Sequence, residues 1–165
     1  MRRATAVLLC SLCAVGVLAL AAGRAQAGPR RAVRSAHAAK QARLRARSRV
    51  VMVAWRAVGI PYRWGGSSPR GGFDCSGLTR WVYGHVGVSL PHSSSAQWRY
   101  GRRVSRRALR PGDLLFFSGL GHVGIYLGHG AVIHAPRPGA RVRFERLRGW
   151  LGSSFYGARR FGVLG

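Results

Sequence analysis

Three side chains in this sequence have the types needed for nucleophilic acyl transfer: Cys75, His122 and His134. A thiol attacks as thiolate, and at its ordinary pKa of about 8.5 only a few per cent is ionised at neutral pH, so a partner has to take its proton. Asp74 is a good helix N-cap, and Leu78, Trp81, Val82 and His85 follow on one helical face, which puts Cys75 at the first helical position. There the unpaired N–H groups and the positive end of the helix favour the thiolate, and the cysteine's own N–H points toward a developing oxyanion. A facing imidazolium would add a full positive charge.

His122 opens an alternating segment in which Gly124 and Tyr126 share its face, while Val123, Ile125 and Leu127 take the other, core-directed face. If the chain turns through Gly128-His129-Gly130, Leu127 pairs with Ala131 and Gly124 with His134. His134 then becomes the diagonal neighbour of His122, about 7 to 8 Å away between backbones, a span two imidazoles can bridge. In that position it would orient His122, as Asn or Asp does in other triads. A two-residue turn would reverse the parity and send His134 to the opposite face. The set Cys75, His122, His134 lacks the paired-ligand spacing of a zinc site, so no metal or other cofactor is expected. On residue types alone, a core cysteine and a satisfied strand histidine are the commoner readings.

The elements that must position these groups are legible around them. The apolar stretch 50–58 ends at Gly59 with Pro61 beyond, the expected stop of a helix. Residues 62–72 form a Gly/Ser/Pro loop, the Asp74-capped helix follows, and His92 to Tyr100 suggests another short helix. After the basic stretch 101–112, read as a loop, short apolar or alternating runs at 113–117, 122–127, 131–134, 142–144 and 155–158 read as strands. Helices followed by an antiparallel meander make an α+β fold, with N-terminal helices packed on a central sheet of about five or six strands. There is no internal repeat.

The chain starts with Arg2 and Arg3, an apolar run from Ala4 to Ala22, and a small-x-small site at Ala25-Gln26-Ala27, so residues 1–27 read as a cleaved signal peptide rather than a retained anchor. Residues 28–49 read as a basic Arg/Ala-rich linker or a helix formed against a surface, and 50–165 as the folded domain. Cleavage removes Cys10 and Cys13 and leaves Cys75 as the one thiol of an exported protein, which excludes an internal disulfide scaffold and leaves an intermolecular bridge or a reactive group. The formal charge is +25, falling to +22 when Arg2, Arg3 and Arg24 leave. Such a field selects anionic polymers. Export redirects that inference from nucleic acid to the cell envelope, and no nucleic-acid reading motif is present. Localisation is therefore read as secreted, at the envelope or outside the cell, with no stable membrane span after cleavage. The three carboxylates, Asp74, Asp113 and Glu145, are so few that each needs an individual reason.

The segments PYRWGG, FDCSGL, LPHSSSAQW, RPGDLLFF, GHVGIYLG and IHAPRPG occur in this order. Together they closely resemble the NlpC/P60 family of papain-like cell-wall cysteine peptidases, over Val50 to about Arg160. The resemblance implies Cys75 as nucleophile, His122 as general base and His134 as the third polar residue. It implies Tyr62 as an oxyanion-hole tyrosine, with Asp74 and Ser76 lining the substrate cleft. Asp74 reads equally as an N-cap, and Asp113 reads as structural. Trp64, Trp81, Trp98 and Trp150 read as core or loop anchors, His85, His92 and His129 as groups without a nameable partner, and Arg70 as positive charge near the cleft. The implied activity is a peptidoglycan endopeptidase acting on stem peptides, at the bond from D-isoglutamate to diaminopimelate or lysine. Two rivals stand beside it: an amidase or acyltransferase on another γ-glutamyl or lipid-linked amide, and a noncatalytic envelope-binding protein.

Overall fold

The computed structural model describes residues 29–165, so the signal peptide read over residues 1–27 lies outside the described residues. Helix α1 (Pro29–Arg56) begins on a proline, whose fixed φ suits a first helical turn, and continues through Ala, Arg, Leu and Gln, all strong helix formers. The basic segment and the apolar stretch behind it are thus one helix. Residues 30–45 are exposed; from Ala46 the helix meets the domain, burying Val50, Val53, Ala54 and Ala57. Arg47 anchors it to the far end of the chain by donating to the Leu164 carbonyl. Gly59, at φ +87°, ends the run, and its N–H donates to Val142 O at 2.8 Å. No helix among the described residues is long and apolar enough to cross a membrane.

A two-stranded hairpin, β1 (Ser67–Ser68) and β2 (Gly72–Phe73), leads into α2 (Cys75–Gly84). This helix buries Leu78 and Val82 as its periodicity predicts, but His85 is exposed and Thr79 and Tyr83 are buried instead, because the helix lies between α1 and the sheet. Gly77 permits its close approach to the preceding loop: a Cβ there would sit 2.0 Å from Gly66 O. The helix expected over 92–100 is the single turn α3 (Ser94–Gln97), capped by Ser93.

The sheet contains β3 (Arg102–Val104), β4 (Leu114–Phe117), β5 (His122–Gly128), β6 (Ala131–His134), β7 (Arg143–Arg146) and β8 (Phe155–Arg160), with α4 (Gly149–Ser153) before the last strand. All pairs are antiparallel, in the order β3-β8-β4-β5-β6-β7. The mixed helix-and-sheet class and the strand number match the sequence reading. The meander covers β4 to β7; β8 returns beside β4, and β3 adds an edge strand inside the stretch read as loop. With two exposed arginines and only Val104 turned inward, β3 carries no alternating pattern to announce it. One face of the sheet packs Leu114, Phe116, Val123, Ile125 and Ile133 against the helices, and the other packs Leu115, Phe117, Val132 and Ala158 with Leu151 of α4.

Candidate active site

Asp74 caps α2 as expected, its Oδ1 accepting from Gly77 N–H at 2.7 Å, and Cys75 is the first helical residue. The remaining acceptor capacity of Asp74 is also engaged. Ser76 Oγ donates to Oδ1 at 3.0 Å, Gly65 N–H donates to Oδ2 at 2.9 Å, and His92 Nε2 lies 3.0 and 2.9 Å from the two oxygens. One carboxylate therefore ties together the helix start, the loop before it and the segment leading to α3. His92 thus gains a partner that sequence reasoning did not supply.

The β5–β6 connection decides whether the two histidines meet. The turn is the two-residue His129-Gly130, both at positive φ, as in the primed turns that suit twisted hairpins. By itself this would reverse the parity. A β-bulge between Tyr126 and Gly128 makes Leu127 an extra residue and restores it, giving Ile125↔Ile133 and Tyr126↔Val132, the register anticipated from a three-residue turn. His134 consequently falls beside Gly124, where a Cβ would lie 3.2 Å from its own Cβ and 2.7 Å from Val132 Cγ1. The rings of His122 and His134 cross at 80°, and His122 Nε2 shares a 2.8 Å hydrogen bond with His134 Nδ1. This leaves Nδ1 of His122 as the nitrogen available to a thiol.

Cys75 and His122 line one cleft of about 350 Å³ together with Tyr62, Trp64, Asp74 and Ser76. Burial pushes the Cys75 thiol above its ordinary pKa, the neighbouring Asp74 carboxylate adds to this, and backbone N–H groups of Val123, Ser76 and Cys75 itself oppose it. Burial, then the proximity of Cys75 and Asp74, also raises the Tyr62 phenol, which keeps it a donor. His122 is pushed down to about 3, first by burial and then by His134, while Glu145 acts in the opposite sense. His134 is lowered to about 4 by burial and Arg143. The resting cleft therefore holds a neutral thiol and neutral imidazoles.

The same shifts fix a stability prediction. Unfolded histidines titrate near 6.5, so as pH falls from about 6.5 to about 3 the unfolded chain binds protons that the folded chain refuses. Folded stability is full above that window and declines through it. Urea unfolding midpoints should fall steadily between these pH values, and less so in a folded His122→Phe protein.

Other residues depart from expectation. Trp81 and Trp98 pack on Phe73 and Phe116 as anchors, but Trp64 is 85% exposed at the cleft. Trp150, 55% exposed, lies 5.7 Å from the His122 ring and also stacks on Phe117. Arg70 is exposed at the tip of the β1–β2 hairpin and does not line the cleft. His85 packs edge-on against Trp81. Glu145, unassigned from sequence, lies with Oε2 3.5 Å from His134 Nε2. Among the described residues no cluster of three or more His, Cys, Asp or Glu has the arrangement of a metal site.

The sequence model of the NlpC/P60 family matches residues 59–160. A probable endopeptidase of Mycobacterium tuberculosis is 44% identical over 116 residues, covering 70% of this chain and 29% of that protein. A gamma-DL-glutamyl hydrolase of Bacillus subtilis is 44% identical over 94 residues, covering 53% of this chain and 23% of that protein. The solved structure of the peptidoglycan hydrolase RipB from Mycobacterium tuberculosis superposes with TM-score 0.64 at 32% identity, covering 72% of this chain and 65% of that one. The chain thus spans less than a third of the length of these curated relatives.

Proposed function

Because the chain belongs to the NlpC/P60 family, we propose that it is a secreted peptidoglycan endopeptidase that opens stem peptides by cysteine catalysis, at the bond from D-isoglutamate to diaminopimelate or lysine. The observation that carries this reading is Cys75 at the start of α2 in the same cleft as His122, whose far nitrogen is held by His134 at 2.8 Å.

In the proposed reaction His122 Nδ1 takes the Cys75 proton as sulfur attacks the peptide carbonyl carbon. The Cys75 N–H and the Tyr62 hydroxyl face the oxyanion. The C–N bond breaks as His122 returns the proton to the leaving amine, leaving an acyl-enzyme. Water, giving a proton to His122, then attacks this thioester, and the acid departs as sulfur regains its proton. Ser76 and the exposed Trp64 offer a polar and an aromatic wall for the substrate. Asp74 acts there chiefly through the loops it clasps.

The domain supplying this chemistry is residues 50–165. The exposed basic part of α1 would hold it to anionic wall polymers, a reading supported by Arg30, Arg31, Arg34, Lys40, Arg43 and Arg45 without an intervening acid. A second reading, an amidase acting on another γ-glutamyl amide, is favoured by the gamma-DL-glutamyl hydrolase among the relatives.

Mass spectrometry of purified peptidoglycan after incubation with the exported protein separates the two. New stem-peptide fragments, absent with Cys75→Ala, are expected, and their masses name the bond. Cleavage of a γ-glutamyl amide incubated in parallel, with stem peptides left intact, would select the second reading.

A further inference from the structure

Two of the three carboxylates have structural employment that uses both their oxygens: Asp74 at the cap and loops, and Asp113 in a buried pair with Arg160. The third, Glu145, stands on β7 opposite Val132, with Oε2 3.5 Å from His134 Nε2. That nitrogen is buried and has no hydrogen-bond partner, although the other nitrogen of the same ring is bonded to His122.

The tautomers required by the proposed reaction give this geometry a meaning. For His122 Nδ1 to accept a proton from sulfur, its ring hydrogen must sit on Nε2 and be donated to His134 Nδ1. His134 then carries its own hydrogen on Nε2, the atom facing Glu145. The opposite tautomer of His134 would set two N–H groups against each other at 2.8 Å. Arg143, paired across from His134, contacts Glu145 Oε1 and leaves Oε2 directed at the histidine.

We propose that Glu145 is a positioning residue at the far end of a line Cys75, His122, His134, Glu145, fixing the His134 tautomer and stabilising the imidazolium that forms on His122. The proposal rests on the cysteine-peptidase reading above. At 3.5 Å the contact is longer than an ordinary hydrogen bond, so it tightens as positive charge develops along the line. Glu145 is one-third exposed, which tempers its effect and makes the charge adjustable from outside the cleft through the half-exposed Arg143. The groups facing His134 are His122 from β5 and Glu145 and Arg143 from β7; at the cleft, His122 faces Cys75, with Asp74 and His92 beyond.

The test uses two substitutions on the exported protein. Glu145→Gln keeps an acceptor and removes the charge, and Glu145→Leu removes both. With a soluble stem peptide, kcat and KM are measured from about pH 5 to about pH 9, beside thermal melts and the rate of Cys75 alkylation by iodoacetamide. Glu145→Gln should lower kcat about 3- to 10-fold with KM unchanged, because the imidazolium that forms on His122 during the reaction loses its counter-charge. Glu145→Leu should fall further, toward the level of His134→Ala. In a His134→Ala background neither change should add anything, since the effect passes through that ring. A folded Glu145→Leu protein with kcat within about twofold of the parent, or an undiminished loss in the His134→Ala background, would overturn the positioning role while Cys75→Ala stays inactive. An active Cys75→Ala protein would instead remove the reading on which the proposal stands.

Discussion

Replacing Cys75 by alanine should reduce stem-peptide hydrolysis by roughly 10⁴-fold or more, and replacing His122 by alanine by about 10²- to 10⁴-fold, in proteins that melt like the parent. The reason lies in the resting state of the cleft. Burial raises the thiol and lowers His122, so in the proposed reaction neither group is charged before substrate arrives and neither acts alone. Sulfur without His122 keeps its proton at neutral pH; His122 without sulfur has nothing to deprotonate except water held at no defined distance from the carbonyl. The two losses should therefore not multiply. A Cys75→Ala, His122→Ala double variant should be no slower than Cys75→Ala, because groups that act as one unit are lost together. Cys75→Ser should also be nearly inactive, since a hydroxyl gives its proton to this neutral imidazole less readily than a thiol does. Initial rates on a defined stem peptide, followed by chromatography of the released fragment, decide the matter. Multiplicative losses in the double variant would mean that His122 serves the reaction by a route independent of Cys75.

The site was legible in the sequence to the extent that local rules govern it. Asp74 as cap and Cys75 as first helical residue follow from side-chain chemistry within three positions, and they stand as read. The meeting of His122 and His134 was also legible, but by a different path. Gly128-His129-Gly130 allows a tight primed turn as well as a three-residue one, and only the need to keep Ile125 and Ile133 in the core selects the bulge that repairs the register. Glu145 reaches His134 through a β6–β7 pairing across residues 135–142, and no periodicity in that connection encodes its length. Its one signal was scarcity, a lone carboxylate without a role among so many arginines. Trp64 shows the opposite limit: its type suggests a core anchor, whereas its place in a Gly-rich loop leaves it in solvent at the cleft.

The largest expected effect on stability is that of breaking the Asp113–Arg160 pair, which lies away from the cleft at the junction of β4 and β8. Asp113 is fully buried and Arg160 nearly so. Arg160 Nε and Nη2 donate to the two carboxylate oxygens at 2.7 Å each, a forked geometry that only this pairing of side chains gives. The remaining capacity is used as well, with Arg110 N–H donating to Asp113 Oδ2 and Arg160 Nη2 to Ala108 O. Taking the two charges out of water is costly, so the intact pair is not by itself a large net gain. Removing one partner is different, because it strands the other as a buried, uncompensated charge. Asp113→Ala should thus cost about 3 to 5 kcal/mol, a fall in Tm on the order of 10 °C. Arg160→Met should cost less than Asp113→Ala, since a lone carboxylic acid can take up a proton whereas a guanidinium keeps its charge. An Asp113→Ala, Arg160→Met double variant should lose less than the sum of the two, because neither charge is then left behind. Thermal and urea unfolding of the four proteins test this. A small loss in Asp113→Ala would mean that water reaches Arg160, and that β8 is held to β4 by its backbone ladder and apolar contacts alone.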